Sequence, residues 1–346
     1  MATSPALRGR RIRRAISLGA AAAGRIGLQS EPTHAVLREQ PLADSPPPIC
    51  SYEGSDYQRT FWEQGGRAYE DAVEAIALRR LLPAGGARLL DVGAGAGRNA
   101  PRYAGFEQVV LLDYSRTMLE QAQARLGLED CYLFVAADAY RLPFAPGLFD
   151  AACMVRVLHH MADPQAVLRQ VSLVLGPQAA FVLEFANKRN LKAIGRWLLR
   201  RQAWNPFSPD PIEFLPLHFD FHPRAVAGWL VNFGLSVERT LTVSHFRSGL
   251  LKRVVPLSWL VRLDAWAQLT GGLWQLAPSV FLRARAGEAH AQRPGAAFWR
   301  CPVCESLEFT RTEAGWVCAG CKAVWEVRGG IHDFRQPLSG VVDRRL

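Results

Sequence analysis

No stretch of this 346-residue chain reaches the ~18 uninterrupted apolar residues that a membrane-spanning helix needs. A transmembrane segment is therefore not expected. No internal repeat is visible, so a solenoid or propeller built on a fixed period is not expected either. Cysteine is scarce and odd in number: Cys50, Cys131, Cys153, Cys301, Cys304, Cys318 and Cys321. With no clean signal peptide, that count argues against a secreted disulfide scaffold. The expected compartment is the cytoplasm. What is present is 49% hydrophobic and 21% charged. Such a chain is too apolar for a disordered protein and long enough for a buried core with more than one domain.

Charge is unevenly spread. The net +10 comes from 41 basic and 31 acidic side chains. Residues 1–50 hold seven arginines and three acids and end in Ser45-Pro46-Pro47-Pro48. The segment from Lys188 to Arg201 holds six basic residues and no acid, and the rest of the chain balances at 28 of each sign. A uniformly basic nucleic-acid binder does not fit that distribution, and no nucleic-acid module or stacking platform is visible. Residues 1–50 read as a disordered basic, Pro-rich tail. Arg10 to Arg14 followed by AISLGAAAAG faintly resembles a twin-arginine export signal, although Arg25 interrupts the apolar run. A basic membrane-surface helix is a further reading of the same residues.

From Tyr52 to Leu82 apolar residues recur at helical spacing. Then strand-like and helix-like segments alternate: strands at 87–92, 109–112, 132–136, 150–155 and 180–185, with helices at 115–126 and 164–175. That alternation indicates a doubly wound α/β fold with a parallel sheet. After Phe185 the rhythm breaks. Residues 187–221 and 247–275 read as insertions around a helix at 222–233 and a strand at 235–246. A last strand at 279–286, with no full crossover before it, suggests an antiparallel final pair.

The strongest chemical signal is Leu89-Leu90-Asp91-Val92-Gly93-Ala94-Gly95-Ala96-Gly97-Arg98-Asn99. A strand followed by a Gly-rich turn lets a ligand approach the backbone closely. A dinucleotide site would have GxGxxG, to seat a pyrophosphate on a helix N-terminus. Here the spacing is GxGxG and an acid precedes it. A carboxylate there repels pyrophosphate and suits a cationic amino-acid head group, which points to S-adenosylmethionine. Two further acids, Asp113 and Asp138, end the next two strands, placed for ribose hydroxyls and for the adenine amino group. Each alone could be a helix N-cap. Together with the Gly turn they form one constellation at the C-terminal edge of the sheet.

On these motifs, with LLDYSRTML and AADAYRLPFAPGLFDAACMVRVLHHM, the chain resembles the class I S-adenosylmethionine-dependent methyltransferases of the small-molecule, type 11-like group. The resemblance covers about residues 55–285. It implies a seven-stranded sheet with an antiparallel last hairpin. It also implies Asp91 near the methionine moiety, lined by Gly93, Gly95 and Gly97, and Asp113 on the ribose. Tyr114 and Met118 would lie beside the adenine, Asp138 and Ala139 at its edge, and Arg156 near the methionine end. Tyr57, Phe61, Trp62 and Tyr69 would form a helical cover, with a core role as the alternative for Trp62.

Methyl transfer needs an aligned nucleophile and exclusion of water. A base is required only for a poorly ionised acceptor. His159 and Arg156 are the catalytic candidates, His159 as base or acceptor contact. His160, His222, His245, Glu184, Asn187 and Lys188 are further residues that could face the acceptor. No tetrapeptide of the NPPY type follows the fourth strand, where Met154-Val155-Arg156-Val157 stands. Its absence leaves O-, C- and other N-methylation open.

The first insertion carries a basic amphipathic helix, with Lys188, Lys192, Arg196 and Arg200 at four-residue spacing. Five of the ten tryptophans fall in the two insertions. One reading is a cap packed on the sheet edge, with its tryptophans in the core and its basic face solvated. The other is a lid contacting a lipophilic or anionic acceptor at a membrane surface.

Cys301-Pro302-Val303-Cys304 and Cys318-Ala319-Gly320-Cys321 match a closed tetrahedral structural zinc site; iron in a rubredoxin-like role is the rival. The run CAGCKAVWEVRGGIHDF resembles the small zinc-ribbon proteins that partner some methyltransferases. His332 reads as a surface residue, and Cys131 and Cys153 as buried. The module has little apolar core of its own, so the metal should carry much of its folding energy.

The expected organisation is a tail at 1–50, a methyltransferase domain at 51–286, a linker at 287–298 and a zinc ribbon at 299–336. The expected function is methyl transfer from S-adenosylmethionine to a small-molecule acceptor, of lipophilic character if the insertions contact it. Peripheral contact with an anionic membrane surface fits the insertions; nucleic acid does not. The alternatives are an RNA or protein methyltransferase guided by the ribbon and a non-catalytic cofactor-binding scaffold.

Overall fold

The computed structural model of the chain describes residues 47–56, 58–291, 295 and 297–339. The readings of the tail before Pro47, and of Tyr57 as part of a cover, lie outside the described residues. The described residues belong to one compact unit.

The alternation of apolar runs becomes a sheet of β1 (Gly86–Val92), β2 (Phe106–Asp113), β3 (Tyr132–Ala136), β4 (Phe149–Met154), β5 (Leu175–Ala186), β8 (Leu235–Val243) and β9 (Ser279–Ala286), with a hairpin β6 (Ile212–Leu215) and β7 (His218–Asp220) set apart. The seven strands run in the order β3-β2-β1-β4-β5-β9-β8. The first five are parallel, and β9 pairs antiparallel with both β5 and β8. This is the seven-stranded fold with the reversed last pair. Both faces are covered, so the central strands are apolar throughout rather than alternating. Side chains still divide by the two-residue period: Leu90, Val92, Val110 and Leu112 enter one core, and Leu89, Val109 and Leu111 the other.

The helices are α1 (Ala68–Leu81), α2 (Arg116–Leu126), α3 (Pro164–Val174), α4 (Leu191–Leu198), α5 (Pro223–Asn232), α6 (Gly249–Val254) and α7 (Leu257–Ala267). Local chemistry sets their starts. Ser115 caps α2 by accepting from the Met118 amide at 3.3 Å, and Asp163 caps α3 by accepting from Ala166, with Pro164 at its first turn. The insertion at 187–221 contains, besides its basic helix, the β6–β7 hairpin, which packs on the 3-10 turn Leu158–His160 after β4.

The C-terminal module corrects an expectation. Its strands are β10 (Phe309–Arg311), β11 (Gly315–Cys318), β12 (Val324–Arg328) and β13 (Ile331–Asp333). They form an antiparallel meander whose last strand pairs parallel with β3, Ile331 opposite Phe134 and Asp333 opposite Ala136. The main sheet thus continues into the ribbon as eleven strands. The module has little core of its own, as expected, and shares that of the main sheet. Trp299, Trp325, Phe334 and the buried Cys301 and Cys318 belong to the same apolar cluster as Val135 and Leu142. Trp299 stacks on Phe144 with ring centroids 5.8 Å apart and packs on Phe334 at 4.7 Å. The linker therefore ends in a bridge between Trp299 and Phe144 rather than running free. His332 is not a surface residue: it accepts a hydrogen bond from the Trp316 indole at 2.9 Å and stacks on that ring. Cys153 is buried as expected, but Cys131 is only half-buried.

Candidate active site

Parallel strands bring their C-terminal ends to one edge, and there the three acids meet. Asp91 lies one residue before the end of β1, Asp113 ends β2, and Asp138 follows β3 by two residues. Asp113 and Asp138 line one cavity with Val92, Gly93, Gly95, Tyr114, Met118, Ala139 and Arg156, whereas Asp91 is not among its lining residues and stands one residue behind Val92. Asp113 is held in place by accepting the Gly95 amide on one oxygen and the Ser115 amide on the other, both at 2.8 Å. Asp138 accepts the Tyr140 amide at 2.9 Å. Asp91 differs. It is 2% exposed, and its Oδ2 has no hydrogen-bond partner among the described residues. Burial pushes its carboxyl up to about 7, against the opposing pull of Tyr103 and Arg98.

The glycines divide by task. Gly95, at φ +55°, would project a Cβ into open space with no atom within 4 Å, so the turn forms a bare cradle in the cavity. Gly97 is not among the lining residues; its Cβ would meet Leu126 Cδ1 at 2.7 Å, and its role is the close approach of the turn to α2.

The cover is a strap plus one aromatic. Ile49, Cys50 and Tyr52 line the cavity, so the expected boundary at residue 50 falls inside the site. Glu53 fastens the strap by accepting from the amides of Arg116 and Thr117 at the start of α2. Trp62, on the single turn Gln58–Glu63, lies under Arg98 at 3.6 Å and Arg156 at 4.9 Å, and is a cavity wall rather than core. Tyr69 is the reverse: it is 2% exposed and donates to Asp264 at 2.6 Å, so it pins α1 to α7 and is not part of the cover. Glu74 on α1 receives both Arg98 (2.8 Å) and Arg156 (2.5 Å). These pairs tie the Gly turn to the loop after β4. From the ribbon, Arg335 donates to the Tyr114 carbonyl at 3.2 Å and pairs with Glu53 at 3.3 Å, reaching the Tyr114 side of the cavity.

The histidine candidates separate. His160 lines the cavity, shares a 3.2 Å hydrogen bond with the Tyr52 hydroxyl, and is pushed down to about 4 by burial. His159 is not among the residues lining that cavity; its ring packs on His160 at 4.0 Å and near His218 of the hairpin at 6.3 Å. Burial, then the charges of His160 and Arg156, hold His159 well below the ordinary imidazole value, and its buried Nδ1 has no hydrogen-bond partner among the described residues. Four other candidates have structural work. His222 caps α5 by accepting from Arg224, and His245 pairs with Asp264 at 3.0 Å. Asn187 donates to the Gln275 and Ala277 carbonyls, and Glu184 accepts the Arg156 amide and the Ser279 hydroxyl. Lys188 is 2% exposed and donates to the Asp210 carbonyl, so it does not belong to a solvated basic face.

Two residues were missed from sequence. Asp220 ends β7, which packs on the turn after β4, and Arg247 before α6 interacts electrostatically with both Asp220 and Arg156; neither lines the cavity described above. Burial pushes the Asp220 carboxyl up to about 6, with Arg247 pulling it down and Glu184 raising it. The Nε of Arg247 is buried without a partner among the described residues. A lone carboxylate between two phenylalanines, Phe219 and Phe221, was the available signal.

The four C-terminal thiols come together with their sulfurs all within 4.8 Å, and the pairs Cys301–Cys321 and Cys304–Cys318 at 3.6 and 3.5 Å. A tetrahedron with Zn–S bonds of ~2.3 Å has sulfur–sulfur edges of about 3.8 Å. The donor set and spacing fit zinc.

A methyltransferase-domain family model matches residues 90–183. Over 205 residues the chain is 30% identical to the malonyl-[acyl-carrier protein] O-methyltransferase of Legionella pneumophila, covering 50% of this chain and 68% of that one. The chain belongs to the S-adenosylmethionine-dependent methyltransferases. This methyltransferase is also 32% identical over 138 residues to the 27-O-demethylrifamycin SV methyltransferase of Amycolatopsis mediterranei, covering 38% of this chain and 51% of that one. With the demethylmenaquinone methyltransferase of Clavibacter sepedonicus the identity is 30% over 154 residues, covering 44% and 54%. The chain thus spans about half the length of these two relatives. A solved S-adenosylmethionine-dependent methyltransferase from Mesorhizobium loti superposes with a TM-score of 0.46 at 23% identity, over 63% of this chain and all of that one. S-adenosylmethionine is the methyl donor of the family, and the cavity fits it on two counts: the Asp113 and Asp138 carboxyls line it as acceptors for hydroxyl and amino hydrogens, and the bare Gly95 cradle leaves room for a ligand against the backbone.

Proposed function

We propose that this methyltransferase passes a methyl group from S-adenosylmethionine to a small lipophilic molecule bearing an ionisable hydroxyl or enol. The observation that carries the reading is the cavity itself, lined by Asp113, Asp138 and the glycine turn at 93–95, with the buried Asp91 carboxyl one residue behind its Val92 wall. Asp91 would hold the cationic amino group, Asp113 the ribose hydroxyls and Asp138 the adenine edge, with Tyr114, Met118 and Ala139 against the base. The donor supplies a methyl group already activated by its sulfonium. The protein has then to align the acceptor, exclude water and accept one proton.

Trp62, Tyr52 and the strap exclude water. Asp220 suits proton acceptance, since a base is most effective with its pKa near the working pH. His159, neutral and with an unpaired nitrogen, suits a hydrogen bond from the acceptor hydroxyl. Arg156, turned by Glu74, fixes the loop between donor and acceptor. The relatives named for rifamycin and menaquinone intermediates support a small, lipophilic acceptor. The Cys301, Cys304, Cys318 and Cys321 set would hold a structural zinc ion, with no position left open for catalysis at the metal.

The test is incubation of the protein with methyl-labelled S-adenosylmethionine and a cell lysate, followed by mass spectrometry. A labelled product of low mass in the organic extract is expected. Label confined to RNA or protein, or no label at all, would overturn the proposal.

A further inference from the structure

The two insertions leave apolar residues on the outside. On α7, Trp259, Leu263 and Trp266 recur at four- and three-residue spacing and are 59%, 49% and 78% exposed. The opposite side of the same helix carries the buried Leu260 and Asp264. The core therefore uses one side of the helix, through Leu260 and Asp264, and leaves an apolar stripe outside. Leu250 and Val254 on α6, and Leu273 with Trp274 after α7, extend the exposed stripe. The second insertion does pack on the sheet edge, α7 lying against α1 and β8, and Trp197 and Trp204 are half-buried, but Trp259, Trp266 and Trp274 all stand outside.

The first insertion adjoins this surface. The Leu191 amide at the start of α4 donates to the Leu276 carbonyl at 2.8 Å, and Asn187 clamps the Gln275 and Ala277 carbonyls. Leu191 and Leu198 are exposed on α4, beside exposed Lys192 and followed by exposed Arg200 and Arg201. Exposed Arg253 and Arg262 complete the set from the second insertion. No acid occurs between residues 185 and 209, and the only acid of the second insertion, Asp264, is buried.

Tryptophans and leucines at a surface rimmed by cations are what an interfacial bilayer contact uses: indoles sit at the headgroup level and Lys or Arg meet anionic lipid. A second copy of the chain would bring its own cations against these with no acid to answer them. We propose that the exposed face of α4, α6 and α7 docks on an anionic lipid bilayer. Asp220 and Arg247 belong to these two insertions, so, on the function proposed above, docking would set the acceptor side of the site against the membrane.

Vesicle flotation of the full chain tests this without any methyl acceptor, so it stands apart from the activity assay. Phosphatidylcholine vesicles with phosphatidylglycerol should bind at least about tenfold more tightly than phosphatidylcholine alone, with the preference weakened by salt. Two triple variants at exposed positions, Trp259→Ala with Trp266→Ala and Trp274→Ala, and Lys192→Glu with Arg200→Glu and Arg201→Glu, should each lose most of that binding while retaining the wild-type thermal transition. A third variant, Arg10→Gln, Arg11→Gln, Arg13→Gln and Arg14→Gln, should retain the binding. Quenching of tryptophan fluorescence by brominated lipid should fall in the tryptophan variant. Binding that survives both triple variants, or disappears only with the arginines of the tail, would overturn the proposal. So would a concentration-dependent dimer abolished by the tryptophan substitutions, or RNA binding in place of vesicle binding.

Discussion

Asp91 is a carboxylate placed where water cannot serve it, and its raised pKa makes cofactor binding depend on pH. Without ligand the buried group prefers to be neutral below about 7. A cationic amino group needs it ionised. Affinity for S-adenosylmethionine should therefore fall by up to about tenfold per unit as pH drops below 7. It should weaken again on the alkaline side as the ligand's own amine, near ~7.8, loses its proton. In the free protein the sign is opposite: a raised acid pKa contributes stability that is lost as pH climbs through about 7. Calorimetric titration from pH 6 to pH 8 checks the binding limb, and Asp91→Asn should be weak throughout and lack the acid limb. Asp220 offers a second test at the same scale. Asp220→Asn should slow methyl transfer by roughly 10²–10⁴-fold and leave cofactor affinity unchanged, measured on the labelled product. Asp91, Asp113 and Asp138 were legible from the sequence because each ends an apolar strand run in a repeating rhythm. Asp220 was not, because β7 is three residues long and its partner β6 follows a Pro-rich segment, too short for a period to register. The unpaired nitrogen of His159 depends on which way a neighbouring hairpin folds, and no local pattern encodes that.

At the level of elements, the ribbon strand β13 is the departure with the most consequence. The CxxC spacing made the four-thiol cluster readable, since metal ligands must sit in two tight turns. The pairing of β13 with β3 could not be read. It joins segments nearly two hundred residues apart, and short strands carry no signal for a distant partner. Two outcomes follow from it. Trp299→Ala should destabilise the whole unit by ~3–5 kcal/mol, because that ring packs on the catalytic domain and the ribbon together; chemical denaturation should show one transition shifted, not a separate small one. Arg335→Ala should lower cofactor affinity several-fold with little change in the melting temperature, since this side chain holds the Tyr114 carbonyl and the Glu53 strap. Metal analysis is expected to give one zinc per chain, and chelation should lower the thermal transition of the entire unit; a stoichiometry well below one would count against the metal site.

Across the whole molecule, the charge excess divides the chain by task. The excess sits in residues 1–50 and in the segment 188–201, the rest is balanced, and the segment 188–201 belongs to the face proposed above to dock on lipid. The doubly wound order, the reversed last pair and the Gly turn were all present in the apolar rhythm and in the spacing of the glycines. The exposure of Trp259, Trp266 and Trp274 was not, because an indole at helical spacing looks the same in a core as on a surface. Everything proposed for the site rests on a cofactor held by three strand-end acids. Isothermal titration of the full chain with S-adenosylmethionine tests that most directly. The account predicts one site per chain, weakened at least about tenfold by Asp91→Ala and by Asp113→Ala, each the loss of a charge-assisted contact. No heat of binding, or binding indifferent to both substitutions, would contradict it.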